Sequence, residues 1–147
     1  MRQRLLNDSL ARLLHDQLHK RMIDFCEHYT PEFPAEPIVQ GWLNRLYQGD
    51  KNLHILVTLD DNYKIVGHGV IDVQEAYGYR VVYCHQAQGD KNSEASLDLG
   101  VEYVTKLVNE TNAYCSIFVV AKHVRSLEKK YGYKDVRTVM MKVAVDD

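Results

Sequence analysis

The sequence lacks the features that mark several common classes of protein. Its 147 residues include three cysteines, and no two of them form a Cys-x-x-Cys pair. This argues against a disulfide-stabilised secreted domain and against a cysteine-based zinc site, so we expect a reducing, cytoplasmic location and no bound metal. No apolar run approaches the roughly 18 residues that a membrane-spanning helix requires, so we expect no membrane partner.

An excess of charge of one sign is also missing. The chain has 18 Lys and Arg against 20 Asp and Glu, a formal net charge of −2, and the two signs are interspersed. Proteins that bind nucleic acids usually present a strongly basic surface, so we expect no nucleic-acid partner. A hydrophobic content of 46% suits one buried core in a chain of this length, which predicts a single domain over residues 1–147.

Two helices are predicted within residues 1–48. Apolar residues recur at helical spacing over residues 6–29, with Leu13 widening the apolar stripe, and predict one long amphipathic helix. Three prolines then interrupt this pattern, and Pro37 suits the first turn of a second helix. That helix carries Trp42, whose ring, if exposed, would offer a contact surface for an oligomer.

Residues 53–87 have the pattern of antiparallel strands. Two runs rich in β-branched residues, over 54–59 and 64–73, flank a polar turn and predict a hairpin. A third strand is predicted over 79–87, and a polar loop follows it.

Residues 88–145 then alternate between helix and strand. The pattern predicts a helix over 94–109, a strand over 114–120, a short charged helix before Gly132 and a final strand over 138–145. A strand, helix and strand connected in this way form a parallel unit. The sequence therefore predicts a mixed α/β (α+β) domain in which helices flank a mostly antiparallel sheet.

This order of elements, together with one short segment, resembles a known family. The segment before the last predicted strand reads Ser126-Leu127-Glu128-Lys129-Lys130-Tyr131-Gly132-Tyr133. A helix, a Gly-aromatic turn and a strand at this place resemble the closing half of the GCN5-related N-acetyltransferase (GNAT) fold, and the resemblance covers essentially the whole chain. It implies an enzyme that transfers an acetyl group from acetyl-CoA to an amine by direct attack, with a small molecule or a protein as the acceptor.

The resemblance also implies a place for acetyl-CoA. In the family, the joint between the third strand and the next helix usually reads Arg/Gln-x-x-Gly-x-Gly/Ala and holds the pyrophosphate on free backbone amides. Here Gln86-Ala87-Gln88-Gly89 matches the first half, while a lysine takes the place of the second small residue. Asp90 and Glu94 add two carboxylates that would repel an anion. The candidate cofactor-binding residues are Gln86, Ala87, Gln88, Gly89, Lys91, Asn92 and Ser93.

Four residues are candidates for proton transfer. Many family members carry a tyrosine four residues before the glycine to protonate the leaving thiolate, and this position is Glu128 here, with Tyr131 as a nearby phenol. A general base in this fold often lies on the central strands, which points to Glu75 and His85. Each has an ordinary alternative, since Glu128 would also suit a solvated helix face and His85 a hydrogen-bonded structural role.

Cys84 and His85 look like a nucleophile and its base, but their spacing excludes that pair. Neighbours in a strand project to opposite faces, so Cys84 is predicted to be a core residue and His85 to share its face with Tyr83.

Two hypotheses for the function remain. The first is the acetyltransferase. The second is a non-catalytic binding or assembly module of the same fold, of the short and divergent kind expected in phages, which the glutamate at position 128 and the lysine at position 91 favour. A weaker alternative is a small α/β domain unrelated to the family.

Overall fold

A computed structural model describes residues 2–90, 94–119, 124–134, 136, 142 and 144. The chain forms, in order, β1 Arg2–Leu5, α1 Asp8–Leu13, α2 His15–Tyr29, α3 Ala35–Tyr47, β2 Leu53–Leu59, β3 Ile65–Ala76, β4 Tyr79–Gly89, α4 Glu94–Thr111, β5 Cys115–Phe118 and α5 Val124–Tyr131. The strand predicted over 138–145 falls almost entirely outside the described residues.

The strands form one five-stranded sheet in the order β1-β2-β3-β4-β5. The first four strands pair antiparallel, and β5 pairs parallel with β4. The structure confirms the predicted hairpin, the third strand and the parallel unit, and so the mixed α+β class. Strand β1 was not predicted, because four residues that alternate Arg2, Gln3, Arg4 and Leu5 carry little apolar signal and pair only with a distant strand.

The two faces of the sheet carry separate apolar clusters. Because side chains alternate along a strand, Ile55, Val57 and Val70 pack against the helices α1 to α3, while Leu56 and Ile71 pack on the other face against α4. Each fully buried aliphatic side chain of this kind contributes roughly 1.5 to 3 kcal/mol. The sheet is therefore the middle layer of the molecule, between two layers of helix.

The first helix is divided where the sequence predicted one continuous helix. Leu14, with φ −100° and ψ 9°, ends α1 and precedes α2. Asn7 caps α1 by accepting a hydrogen bond from the amide of Leu10 at 2.8 Å. The bend at Leu14 keeps the apolar sides of both helices on the sheet, whereas Leu13, expected to widen the apolar stripe, is 72% exposed.

The second predicted helix begins two residues earlier than Pro37, at Ala35, so the proline does lie in its first turn. Trp42 on this helix is half-buried and packs against the core. Its ring is therefore only partly exposed. No helix among the described residues is long and apolar enough to cross a membrane.

Candidate functional site

Within the described residues, strands β4 and β5 pair along only part of β4. Their parallel pairing runs from Val81 and Cys115 to Cys84 and Phe118, and the amide of Val119 adds a 3.0 Å hydrogen bond to the Cys84 carbonyl. Strand β4 continues to Gly89 with β3 as its partner. Over residues 85–89, which we call the open edge, β4 has no partner from β5 in the described part of the chain.

A β-bulge marks the start of the open edge. Ile71 pairs with Cys84, but the preceding residue Val70 pairs with Gln86, so His85 is an extra residue in the ladder. The bulge changes the alternation of side chains. Cys84 packs in the cluster beneath α4, whereas His85 and Gln86 both face the helices α2 and α3.

His85 lies in a cluster built from α3, β3 and β4, the His85 cluster, with Trp42, Arg45, Asp72 and Tyr83 as its other members. The ring centroid of His85 is 4.8 Å from that of Tyr83 and 5.5 Å from that of Trp42. Nε2 of His85 lies 3.8 Å from Oδ2 of Asp72. Arg45 donates two hydrogen bonds, of 2.9 and 3.0 Å, to the same carboxylate. The contact with Tyr83 confirms that the two side chains share a face.

Asp72 is the charged centre of this cluster. The residue as a whole is 6% exposed. Burial would raise its pKa, but the hydrogen bonds and charge of Arg45, together with the nearby imidazole of His85, outweigh burial and hold the pKa at about 2. The same carboxylate raises the pKa of the Arg45 guanidinium above its usual value. The pair is therefore ionised throughout the neutral range.

A second polar group is buried beside the first, on α2, β3 and β4. Oε1 of Gln86 lies 2.8 Å from Nε2 of His68, and Nε2 of Gln86 donates to the carbonyl of Met22 at 3.3 Å and to Sγ of Cys26 at 3.2 Å. Burial lowers the pKa of His68 to about 4. The side chain of Gln86 is thus fixed in the core, and only its backbone belongs to the open edge.

The rest of the predicted cofactor segment lies at the end of β4. Ala87, Gln88 and Gly89 complete the open edge and pair on their other side with β3. Asp90, which sequence reasoning placed against an incoming anion, accepts a 3.0 Å hydrogen bond from Nη1 of Arg21 on α2. Arg21 therefore offsets much of the charge of Asp90. Lys91, Asn92 and Ser93 lie outside the described residues.

Solved structures share this architecture. A protein described as a probable acetyltransferase superimposes with a TM-score of 0.70 at 14% identity, over 100% of this chain and 99% of that chain. A predicted acetyltransferase from Clostridium acetobutylicum, solved with acetyl-CoA, gives 0.67 at 19% identity, over 97% and 95%. Glucosamine-6-phosphate N-acetyltransferase from Arabidopsis thaliana gives 0.62 at 15% identity, over 99% and 98%.

The chain has the GNAT fold. No family model matches its sequence, and no curated protein matches it either. The alignments cover nearly all of this chain and of each compared chain at sequence identities below 20%. The resemblance therefore lies in the order and pairing of the helices and strands.

Two of the residues predicted to transfer protons are not near the open edge or are exposed to solvent: Glu75 is distant from it, and Glu128 is exposed. Glu75 pairs in register with Arg80 near the β3–β4 turn, with its carboxylate 3.5 Å from the guanidinium. Arg80 and His85 are five positions apart along β4. At roughly 3.4 Å per residue, this is a distance of about 17 Å. Glu128, at the position of the GNAT tyrosine, is exposed on α5.

The phenols around Gly132 differ from each other. The hydroxyl of Tyr131 is buried and, among the residues that the structure describes, has no hydrogen-bond partner. The hydroxyl of Tyr133 is 2.6 Å from Oγ of Ser116 on β5, and its ring contacts Phe118. Of the two, Tyr131 has the hydroxyl that is not already engaged.

Two of the three cysteines, Cys26 and Cys84, are buried packing residues. Cys84 is 3% exposed, and burial raises its pKa to about 12. Burial also raises the pKa of Cys26. These features confirm that Cys84 is a core residue. Within the described residues, no three side chains that ligate metals come together.

Sequence reasoning missed the partners of His85 and Asp90, namely Arg45, Asp72 and Arg21. One signal was present: an aspartate inside the apolar run Val70-Ile71-Asp72-Val73 predicts a buried charge that needs a partner. The identity of that partner was not encoded locally, since Arg45 precedes it by 27 residues.

Proposed function

We propose that the protein is an N-acetyltransferase that moves an acetyl group from acetyl-CoA to the amine of a small molecule or protein. The observation that supports the proposal is the open edge of β4, where the strand extends past Cys84, the last residue that pairs with β5 among those the structure describes. A strand edge of this kind binds an extended chain of amides by adding it to the sheet. The pantetheine part of acetyl-CoA is such a chain.

The residues around the open edge suit a donor that carries negatively charged phosphates, as acetyl-CoA does. Residues 86–89 supply backbone amides and carbonyls, and the N-terminus of α4 follows within a few residues and favours the pyrophosphate. Lys91 adds a positive charge in the same segment, and Arg21 offsets the carboxylate of Asp90. Asn92 and Ser93 complete the segment with short polar side chains that suit a phosphate contact.

His85 is the proposed general base. It removes a proton from the acceptor amine, whose nitrogen attacks the thioester carbonyl, so that a C–N bond forms and the C–S bond breaks. The thiolate of coenzyme A then takes up a proton, and the unpartnered hydroxyl of Tyr131 is the proposed donor. Glu75 and Glu128 have no step in this scheme because of where the fold places them.

A thermal-shift measurement tests the first requirement. Acetyl-CoA at a hundred times its Kd should stabilise the native protein by about 2.7 kcal/mol, which raises Tm by roughly 5 to 10 °C in a domain of this size. ATP at the same concentration controls for unspecific anion binding. A thiol-release assay with a panel of amines then tests turnover. Absence of any shift at millimolar acetyl-CoA would contradict the proposal.

A non-catalytic binding module of the same fold is the second candidate. The observation in its favour is that Glu128 lies exposed at the place of the GNAT tyrosine. A thermal shift with acetyl-CoA, followed by no thiol release with primary amines, polyamines or peptide N-termini, would support this candidate over the first.

A further inference from the structure

We propose that Asp72 and Arg45 are positioning residues that hold the imidazole of His85 with Nε2 toward Asp72, so that Nδ1 is the nitrogen that accepts the proton. This inference rests on the proposed acetyl transfer. It adds that two residues on other elements orient the proposed base, and it says which of the two ring nitrogens accepts the proton.

The ion pair behind His85 is fixed from three directions. Nη2 and Nη1 of Arg45 donate to Oδ1 and Oδ2 of Asp72 at 2.9 and 3.0 Å, and Nε donates to Asp50 at 2.8 Å. The side chain of Asp72 is 9% exposed, so it has little freedom to turn away. A bidentate pair of this geometry sets the plane of the carboxylate as well as its position.

The charge of the carboxylate favours one tautomer of His85. Nε2 is the ring nitrogen near Asp72, at 3.8 Å from Oδ2, which is longer than a hydrogen bond. A negative charge attracts an N–H dipole and repels a lone pair, so it favours the tautomer with the hydrogen on Nε2 and the lone pair on Nδ1. The rings of Trp42 and Tyr83 contact the imidazole and limit its rotation.

The charges around His85 favour the state that follows proton transfer. The charged and titratable groups that contact the ring or the Arg45–Asp72 pair are Arg45, Asp50, Asp72 and Tyr83. Two carboxylates against one guanidinium leave a net negative charge, which an imidazolium at His85 neutralises. The cluster therefore stabilises His85 after it has taken the proton from the amine, when positive charge has developed on the ring.

Kinetics of four variants separate this role from a merely structural one. We expect His85→Gln to lower kcat by about a hundredfold or more, and Asp72→Asn to lower it by roughly 10- to 100-fold with little change in KM. Arg45→Lys keeps the positive charge but loses the bidentate hydrogen bonding to Asp72. Its kcat should therefore lie between those of Asp72→Asn and the wild type. Asp8→Asn removes an exposed carboxylate that pairs with Arg12 on α1, away from the His85 cluster, and it should leave kcat within a few-fold.

The double variant gives the sharper result. If Asp72 acts through His85, Asp72→Asn should cost no further activity when His85 is already glutamine. An equal loss in both backgrounds would overturn the positioning role.

A measurement on the free protein does not depend on turnover. In ¹⁵N-labelled wild-type protein, the ring of His85 should show the hydrogen on Nε2, and Asp72→Asn should weaken that preference. Observation of the hydrogen on Nδ1 in the wild type would refute the inference even if acetyl transfer is found. Wild-type protein that neither binds acetyl-CoA nor releases thiol would instead refute the proposed function, whatever the tautomer.

Discussion

The Nε2 of His68 lies 2.8 Å from the amide oxygen of Gln86, with both side chains buried. Because that oxygen only accepts hydrogen bonds, the imidazole carries its hydrogen on Nε2. The other nitrogen, Nδ1, then accepts from Nε of Arg21 at 3.5 Å. A second proton on His68 would point at the guanidinium, so the neutral ring is the form that fits the fold.

Acid should therefore destabilise the protein through His68. Burial keeps its pKa at about 4, against about 6.5 in an unfolded chain. Between pH 4 and 6.5 the unfolded state binds this proton and the folded state does not. The neutral ring therefore contributes fully to the free energy of unfolding above pH 6.5, and this contribution is lost as pH falls toward 4. The loss is up to about 3 kcal/mol. Urea unfolding of wild type and His68→Gln across this range should show a flatter profile in the variant, and His28→Gln, at an exposed position, should follow the wild type.

Replacement of Gln86 by leucine should be strongly destabilising. The change removes the partner of His68 Nε2 and the donor to the Met22 carbonyl, and each buried group left unpaired costs about 1 to 3 kcal/mol. Chemical denaturation should show a loss of roughly 2 to 5 kcal/mol. Gln40→Leu, at an exposed site on α3, should change stability by no more than about 0.5 kcal/mol. Equal effects at the two sites would mean that the buried hydrogen bonds contribute little.

The charge balance at the end of β4 should control the affinity for acetyl-CoA. Arg21→Met frees the carboxylate of Asp90, which would then face the anion, and we expect Kd to rise about tenfold. Asp90→Asn alone should have a small effect, and the double variant Arg21→Met/Asp90→Asn should regain most of the affinity. Titration calorimetry at low salt measures all three. Arg12→Met is the control, because Arg12 pairs with Asp8 on α1. A double variant no better than Arg21→Met would show that Arg21 acts in another way.

The three thiols should differ in their reaction with iodoacetamide. Cys26 and Cys84 are buried and burial raises the pKa of both, whereas Cys115 is half-buried at the end of β5 next to the α4 connection. At pH 8 the native protein should be alkylated first at Cys115, and at all three positions in urea. Peptide mass spectrometry identifies the sites. Rapid labelling of Cys84 in the native protein would contradict its place in the core.

The elements with strong periodicity were predictable, whereas the junctions between them were not. Strands β2 to β4 and helices α2 to α4 follow from local alternation and spacing. The bend at Leu14 does not, because the apolar stripe continues through it and only packing on the sheet divides the helix. Likewise, the bulge at His85 has no signature in a run of residues that all favour strands.

The candidate site shows the same limit. His85 and the segment 86–89 were recognised from the sequence, since strand ends and glycine loops are local signals. Their partners come from far along the chain: Asp72 and Arg45 are separated by 27 residues, and Arg21 and Asp90 by 69. Distances of this kind are set only by the folded sheet and the helices on it.

The single extra residue at position 85 links the stability of the protein to its chemistry. Only His85 and Gln86 lie between Cys84 and Ala87, and deletion of either would restore an uninterrupted alternation along β4. One position would then serve the helical side of the sheet where two do now, so either Asp72 would lose the imidazole or His68 would lose its amide partner. The bulge therefore lets one strand supply both the proposed base and a hydrogen bond of the core.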